Sequence, residues 1–289
     1  MTTFYEITPC YFGWGYGYGF FSNYRMCLEM LIYFHENKEK FHNMIPYISW
    51  KNTTWVENFN PFENSLYRSN INPFNWWFEQ ININQQDKII YGNKEPTPGS
   101  IIDHSKDYFD DNVMLEKQQN IDKLYIKPKK SILDKINTIY EKEFANEVVL
   151  GVMARGSEYN KHHPQYGVFG IDTYINKIKD VLNKNKKITK IFIVSEESEY
   201  VEKIHKEFQN SFYIPDVFRR TDESDDYINK VHCWINVSQK RENHTQLLGE
   251  ECIIQTKLLG KCDYLCGRHC GLIAGAVLWN ENIKNVTIF

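Results

Sequence analysis

Arg155 stands directly after the apolar run Val148-Val-Leu-Gly-Val-Met153 and is followed by Gly156, Ser157 and Glu158, with His162-His163-Pro164 shortly beyond. A short continuous apolar run is what a buried parallel strand requires, and a guanidinium at its exit can hold phosphate oxygens in its planar fork. Glu158 and the histidines, His163 foremost, are groups able to take a proton from a hydroxyl. The plainer alternative is a surface arginine ion-paired to Glu158. A second segment, Gly13-Trp-Gly-Tyr-Gly-Tyr-Gly19, precedes Ser22 and Asn23 at the start of an apolar helical pattern. Glycines let backbone come close to a phosphate, and the helix N-terminus offers free N–H groups, although glycine-aromatic repeats also make ordinary tight turns. The third is Cys262-Asp-Tyr-Leu-Cys-Gly267-Arg-His-Cys-Gly271, in which a strand ends in a glycine turn and opens a helix of small residues. Arg268 and His269 are expected to point toward the same crevice; an ordinary strand-turn-helix would look alike.

All three segments need strands to present them. Residues 4–12 predict a short aromatic strand. The apolar spacing from Ser22 to His35 predicts a helix capped by Ser22 or Asn23. Residues 44–80 read as irregular loops and short helices, and 84–120 as a polar loop broken at Pro96-Thr-Pro-Gly99. From there strand and helix alternate: helices at 131–144, 171–184, 198–208, 249–259 and after Gly271, strands at 148–153, 190–195, 211–214, 264–266 and 286–289. Such alternation is the pattern of a doubly wound α/β domain. In open α/β sheets ligands bind outside the C-terminal ends of the strands, which is where each segment lies. The chain is expected to divide into an N-terminal domain over 1–130 and a C-terminal one over 131–289.

Composition narrows the function. With 34 basic against 37 acidic residues, a net charge of −3 argues against a dedicated nucleic-acid binder, which would carry a basic excess on one face. There is no apolar run of about 18 residues that would span a membrane and no basic, then apolar, leader, so a cytoplasmic protein is expected. Seven cysteines, odd in number and without a framework, suit a reducing compartment. Cys262, Cys266 and Cys270 straddle a strand and a turn, a poor match to the close ligand pairs of structural zinc. Aromatics make up 15% of the chain; those of the first eighty residues form either a core or a surface for stacking on a sugar, core burial being the commoner use.

In order and spacing these segments resemble the α1,6-fucosyltransferase and O-fucosyltransferase superfamily, including its rhizobial nodulation branch. Gly17-Tyr-Gly-Phe-Phe-Ser-Asn-Tyr24 is similar to its N-terminal glycine motif. Val152-Met-Ala-Arg155-Gly-Ser-Glu158 with His163-Pro164 is similar to its arginine segment and following His-Pro. Ile191-Phe-Ile-Val-Ser195-Glu-Glu197 resembles a strand ending in a Thr-Asp pair, and Leu258 to Gly267 the C-terminal leucine helix, Asp-aromatic-Leu strand and turn. The likeness covers most of 11–36 and 148–275. It departs from the pattern at Met153 for a histidine, Gly156 for a second arginine, Glu158 for an aspartate, Gln255 for an aspartate and Arg268-His269 for serines.

The resemblance implies a GT-B fold, two Rossmann-like domains facing a central cleft, and an inverting transfer of fucose from GDP-fucose to a glycan hydroxyl without a metal or other cofactor. It assigns Arg155, Glu158 and His163 to catalysis. It assigns Gly17, Gly19, Ser22, Asn23, Arg155, Ser195, Glu196, Gln255, Arg268, His269 and Gly271 to the donor. The expected partners are the nucleotide sugar and the glycan, with no nucleic acid and no membrane span. Two rivals remain: the same scaffold with another GDP- or UDP-linked sugar, and a glycan- or nucleotide-binding module without turnover. A nicotinamide-dependent enzyme is disfavoured, because the glycine turn lacks a clean Gly-x-Gly-x-x-Gly and no acidic ribose partner follows at the right distance.

Overall fold

The computed structural model describes residues 2–9, 19–51, 53, 55, 70–91, 112–156, 160, 161, 167–220, 241–280 and 285–289. They fall into two compact units, Met1–Lys130 with Glu242–Gly249, and Ser131–Arg241 with Glu250–Phe289.

In the first unit a parallel sheet has β1 (Thr3–Ile7) between β2 (Met44–Ile48) and β4 (Lys88–Tyr91). Pro46 sits in β2, on the edge of the sheet among the described residues, where a missing N–H is tolerated. Helix α1 (Phe20–Glu36) buries Phe20, Phe21, Tyr24, Cys27, Leu28, Leu31, Ile32 and Phe34, the stripe that predicted it. Its N-cap is Gly19, not Ser22 or Asn23. The Gly19 carbonyl accepts the N–H groups of Ser22 at 3.1 Å and Asn23 at 3.2 Å, so both predicted caps lie inside the first turn. The short helix α2 (Phe74–Trp77) runs into β3 (Phe78–Glu79), which pairs antiparallel with β5 (Lys127–Pro128) after helix α3 (Asn112–Tyr125).

Five elements were not expected: β2, β3, β4 and β5, and α3, which begins within a stretch that reads as a loop. The aromatics of this unit are core. Around the Phe20 ring stand Trp50, Trp55 and Trp77, edge-on, with centroids at 5.0, 5.1 and 5.2 Å, and Phe74 stacks on Phe78 at 4.5 Å. All six are buried. Edge-to-face contacts at these distances are the favoured geometry for aromatic rings.

In the second unit all five strands are parallel, in the order β10 (Asn285–Ile288), β9 (Tyr264–Gly267), β6 (Val149–Met153), β7 (Lys190–Val194), β8 (Ser211–Phe212). Helices α4 (Lys130–Glu143), α5 (Ile171–Lys184), α6 (Ser198–Glu207), α7 (His244–Leu259) and α8 (Gly271–Leu278) alternate with them, as the sequence predicted for this half. Leu150, Val152, Ile191, Ile193 and Cys266 of the sheet pack with Tyr174, Ile178, Val201 and Ile204 of α5 and α6 in one buried cluster. The chain moves from β6 outward to β7 and β8, then returns to the other side of β6 for β9 and β10. The order therefore reverses at β6, and the crevice at such a switch point is where an α/β sheet takes its ligand.

Helix α7 begins at His244, a turn and more before the predicted Gly249. Its first turns belong to the first unit. There the Trp77 indole N–H donates to the Gln246 carbonyl at 2.8 Å. The same ring lies flat on Gly249, where a Cβ would come within 2.1 Å of it.

Candidate functional site

The exits of β6, β7 and β9 form the candidate site. Beyond Met153 the ladder continues for one residue, with the Ala154 N–H donating to the Val194 carbonyl at 2.9 Å. The chain then turns at Arg155. Tyr174 of α5 fixes that turn: its hydroxyl accepts the Arg155 N–H at 2.9 Å and donates to the Arg155 carbonyl at 3.1 Å. Burial pushes the Tyr174 phenol well above its usual range, so it stays protonated and able to do both.

The Arg155 side chain keeps 18% of its surface exposed, and its Nε lies 3.3 Å from Oε1 of Glu196, at the exit of β7. The same oxygen accepts the Gly156 N–H at 3.0 Å. Glu196 thus takes one backbone hydrogen bond and one ion pair from a single turn, the kind of arrangement by which a strand exit holds an anion. Ser195 beside it is buried and accepts the Glu197 N–H on its hydroxyl at 3.2 Å. Glu197 is ion-paired with Arg220 at 3.1 Å.

On α7 the Glu251 carboxylate takes Arg241 in a two-pronged pair at 2.6 and 3.1 Å and the Phe218 N–H at 3.2 Å. Burial, then the Glu251 charge, pushes the Cys252 thiol up to about 12, with Arg155 acting in the opposite sense. Cys270, the N-cap of α8, is also raised by burial and also feels Arg155. The field of Arg155 therefore reaches α7 and α8 as well as β7. Gln255, one turn beyond Glu251, is buried; its amide donates to the Glu251 carbonyl at 3.3 Å. Its Oε1 makes no hydrogen bond among the described residues.

Arg268 differs from its expectation. It is fully buried, and its guanidinium donates to Asn160 Oδ1 and the Gly167 carbonyl while lying 4.9 Å over the Phe169 ring. Instead of facing an open crevice it fastens the segment after Arg155 to the sheet. Asn160 completes the fastening by exchanging two 3.0 Å hydrogen bonds with the backbone of Phe169. His269 is half-buried and Gly271 opens α8. At Gly267 a Cβ would meet the Met153 carbonyl at 2.5 Å, so β9 can close on β6 there only as glycine.

Gly17, Glu158, His162 and His163 lie outside the described residues. Gly19, Ser22 and Asn23 belong to the first unit, at the start of α1. Sequence reading missed Tyr174, Asn160, Arg220 and Glu251. None of the four sits in a glycine turn or directly after a strand, so motif spacing carries no signal for them. Among the described residues no three His, Cys, Asp or Glu side chains come together as metal ligands, and no helix is long and apolar enough to cross a membrane.

No protein-family model matches the chain, and no curated protein matches it in sequence. Solved structures do. The fucosyltransferase NodZ from Bradyrhizobium aligns over 96% of this chain and 92% of its own, with a TM-score of 0.53 at 14% identity. NodZ α1,6-fucosyltransferase co-crystallised with GDP gives 0.53 over 97% and 93%, also at 14% identity. The same enzyme soaked with GDP-fucose gives 0.51 over 97% and 93%, again at 14%. The chain has the GT-B fold of the fucosyltransferases. The resemblance seen in the glycine- and arginine-bearing segments and the likeness of the GT-B backbone thus point to one scaffold. Sparse motifs on that scaffold account for a structural match without a sequence-model match.

Proposed function

We propose that the chain is a glycosyltransferase that moves a sugar, fucose from GDP-fucose as first choice, onto a glycan hydroxyl. The observation that carries this reading is Arg155, held by Tyr174 at the exit of β6 where the strand order reverses, on a fold shared with NodZ. When a nucleoside diphosphate leaves the anomeric carbon, negative charge grows on its β-phosphate while the sugar gains oxocarbenium character. Donors already aimed at that charge lower the barrier, and removing one costs about 3–4 kcal/mol. Arg155 is assigned this role, with the N–H groups at the start of α8 beside it.

With arginine and backbone donors neutralising the leaving group, transfer needs no divalent ion. Inversion needs a base on the opposite face; Glu158 and His163 are the candidates. By the resemblance, Ser195, Glu196 and Gln255, and likewise Gly17, Gly19, Ser22 and Asn23, are assigned to binding the donor. A second reading, binding without turnover, draws on Met153. This residue replaces a histidine of the resembling family and is buried in the strand rather than exposed at its end.

Thermal stabilisation by GDP, UDP, CMP, GDP-fucose and NAD, each with and without EDTA, tests the proposal. A ligand at about 100 times its Kd adds roughly 2.7 kcal/mol. Stabilisation by GDP and GDP-fucose that survives EDTA is expected. A response to UDP alone discards fucose and keeps the scaffold, and tight GDP binding with no transfer to any glycan acceptor favours the binding module. Indifference to every nucleotide overturns the reading.

A further inference from the structure

Glu197 and Arg220 form a buried ion pair that no motif pointed to. Their side chains are 8% and 5% exposed, with Nη2 and Oε1 3.1 Å apart. The Glu197 carboxylate lies against the α-carbon of Gly156: a Cβ there would sit 2.1 Å from its Cδ and 2.2 and 2.6 Å from its oxygens. Arg220 also clips the neighbouring backbone. Its N–H donates to the Glu196 carbonyl at 2.9 Å, and its own carbonyl accepts the Ser198 N–H at 2.9 Å. Through its backbone, residue 220 therefore holds the main chain of the residue whose side chain binds Gly156 and Arg155. It also neutralises the carboxylate pressed on the far side of the same turn.

We propose that Arg220, acting through Glu197, is a positioning residue that sets the Arg155–Gly156 turn for a diphosphate; its link to catalysis rests on the glycosyltransferase reading. Without the Arg220 cation two adjacent carboxylates, Glu196 and Glu197, face the turn, with Arg155 ion-paired to one of them. An uncompensated buried charge is costly, whereas removing both members of a buried pair is often tolerated. The charge, more than the bulk, of Arg220 is what the turn requires.

The test compares Arg220→Met, Arg220→Lys and the double variant Arg220→Met with Glu197→Gln. Amide exchange at Gly156 reads the turn with no ligand present, and GDP and UDP affinities read its use. Arg220→Met is expected to speed Gly156 exchange at least tenfold and to weaken nucleotide binding by a similar factor. The lysine variant and the neutral double variant are expected to recover most of both. A double variant as impaired as the single one overturns the proposal, because packing alone would then explain the loss. Unchanged Gly156 exchange in Arg220→Met overturns it as well. Should Arg220→Met fail to fold, the lysine and double variants decide by the same two readouts. If the wild-type chain binds no nucleotide while exchange behaves as expected, the glycosyltransferase reading falls and the positioning of the turn stands.

Discussion

At the scale of single residues, the site turns on one partly buried cation and the glycine beside it. Arg155→Ala removes the guanidinium but leaves the Tyr174 hydrogen bonds, which engage its backbone. Transfer is expected to fall by about 10²–10³ with an unchanged melting temperature; substantial residual turnover in a steady-state assay would remove Arg155 from the chemistry. Gly156 and Gly19 both lie in segments the sequence marks, yet they answer to different physics. A methyl group at 156 collides with the Glu197 carboxylate, while nothing lies within 4 Å of a methyl at 19, whose φ of −58° suits any residue. Gly156→Ala is expected to cost about 1–3 kcal/mol, the usual price of overpacking, and Gly19→Ala less, about 0.5 kcal/mol, the cap preference of glycine over alanine. Urea denaturation of the two variants checks the contrast.

At the scale of elements, helix α1 carries a strong pH signature. Burial raises the Glu29 carboxyl to about 7 from 4.5 and lowers Arg25 to about 10, each opposing its neighbour's effect. A carboxyl whose folded value is raised keeps its proton in the native state after the unfolded chain has lost it. Stability is then full below about 4.5, declines as pH rises to 7, and is flat above. The loss is on the order of 3 kcal/mol, seen as a falling urea midpoint between pH 5 and 7 that Glu29→Gln abolishes. An undiminished slope in that variant would assign the effect to other groups.

Elements also show why one half of the chain was easier to read than the other. In the second unit, β6 and β7 are continuous apolar runs, and the amphipathic stripes of α5 and α6 gave their positions to within a residue. Helix α3 was hidden because two of its buried positions, Gln118 and Asp122, are polar. Asp122 is accepted into the interior by the Tyr24 hydroxyl, so the apolar period that marks a helix is broken where it should be clearest. Strand β2 contains a proline, and β4 is only four residues long. In the site, Arg155 and Glu196 announced themselves by following strands. Tyr174 and Arg220 did not, because their roles depend on which backbone atoms the fold brings to them.

At the scale of the whole molecule, two units with separate sheets and cores give no reason for a single cooperative transition. Calorimetry is expected to resolve two unfolding steps. A bound nucleotide diphosphate is expected to raise the step of the second unit, which holds Arg155, more than that of the first; equal shifts would mean that the ligand draws as heavily on the first unit. Helix α7 bears on how such a protein can be taken apart or recombined. Trp77 rests on a carbonyl and a glycine supplied some 170 residues downstream, by turns of a helix whose remainder serves the other unit. A gene shuffled with a relative at a single joint would inherit the indole from one parent and its seat from another. Only exchanges that carry residues 242–249 along with the N-terminal segment, three joints instead of one, keep each half with its own parts.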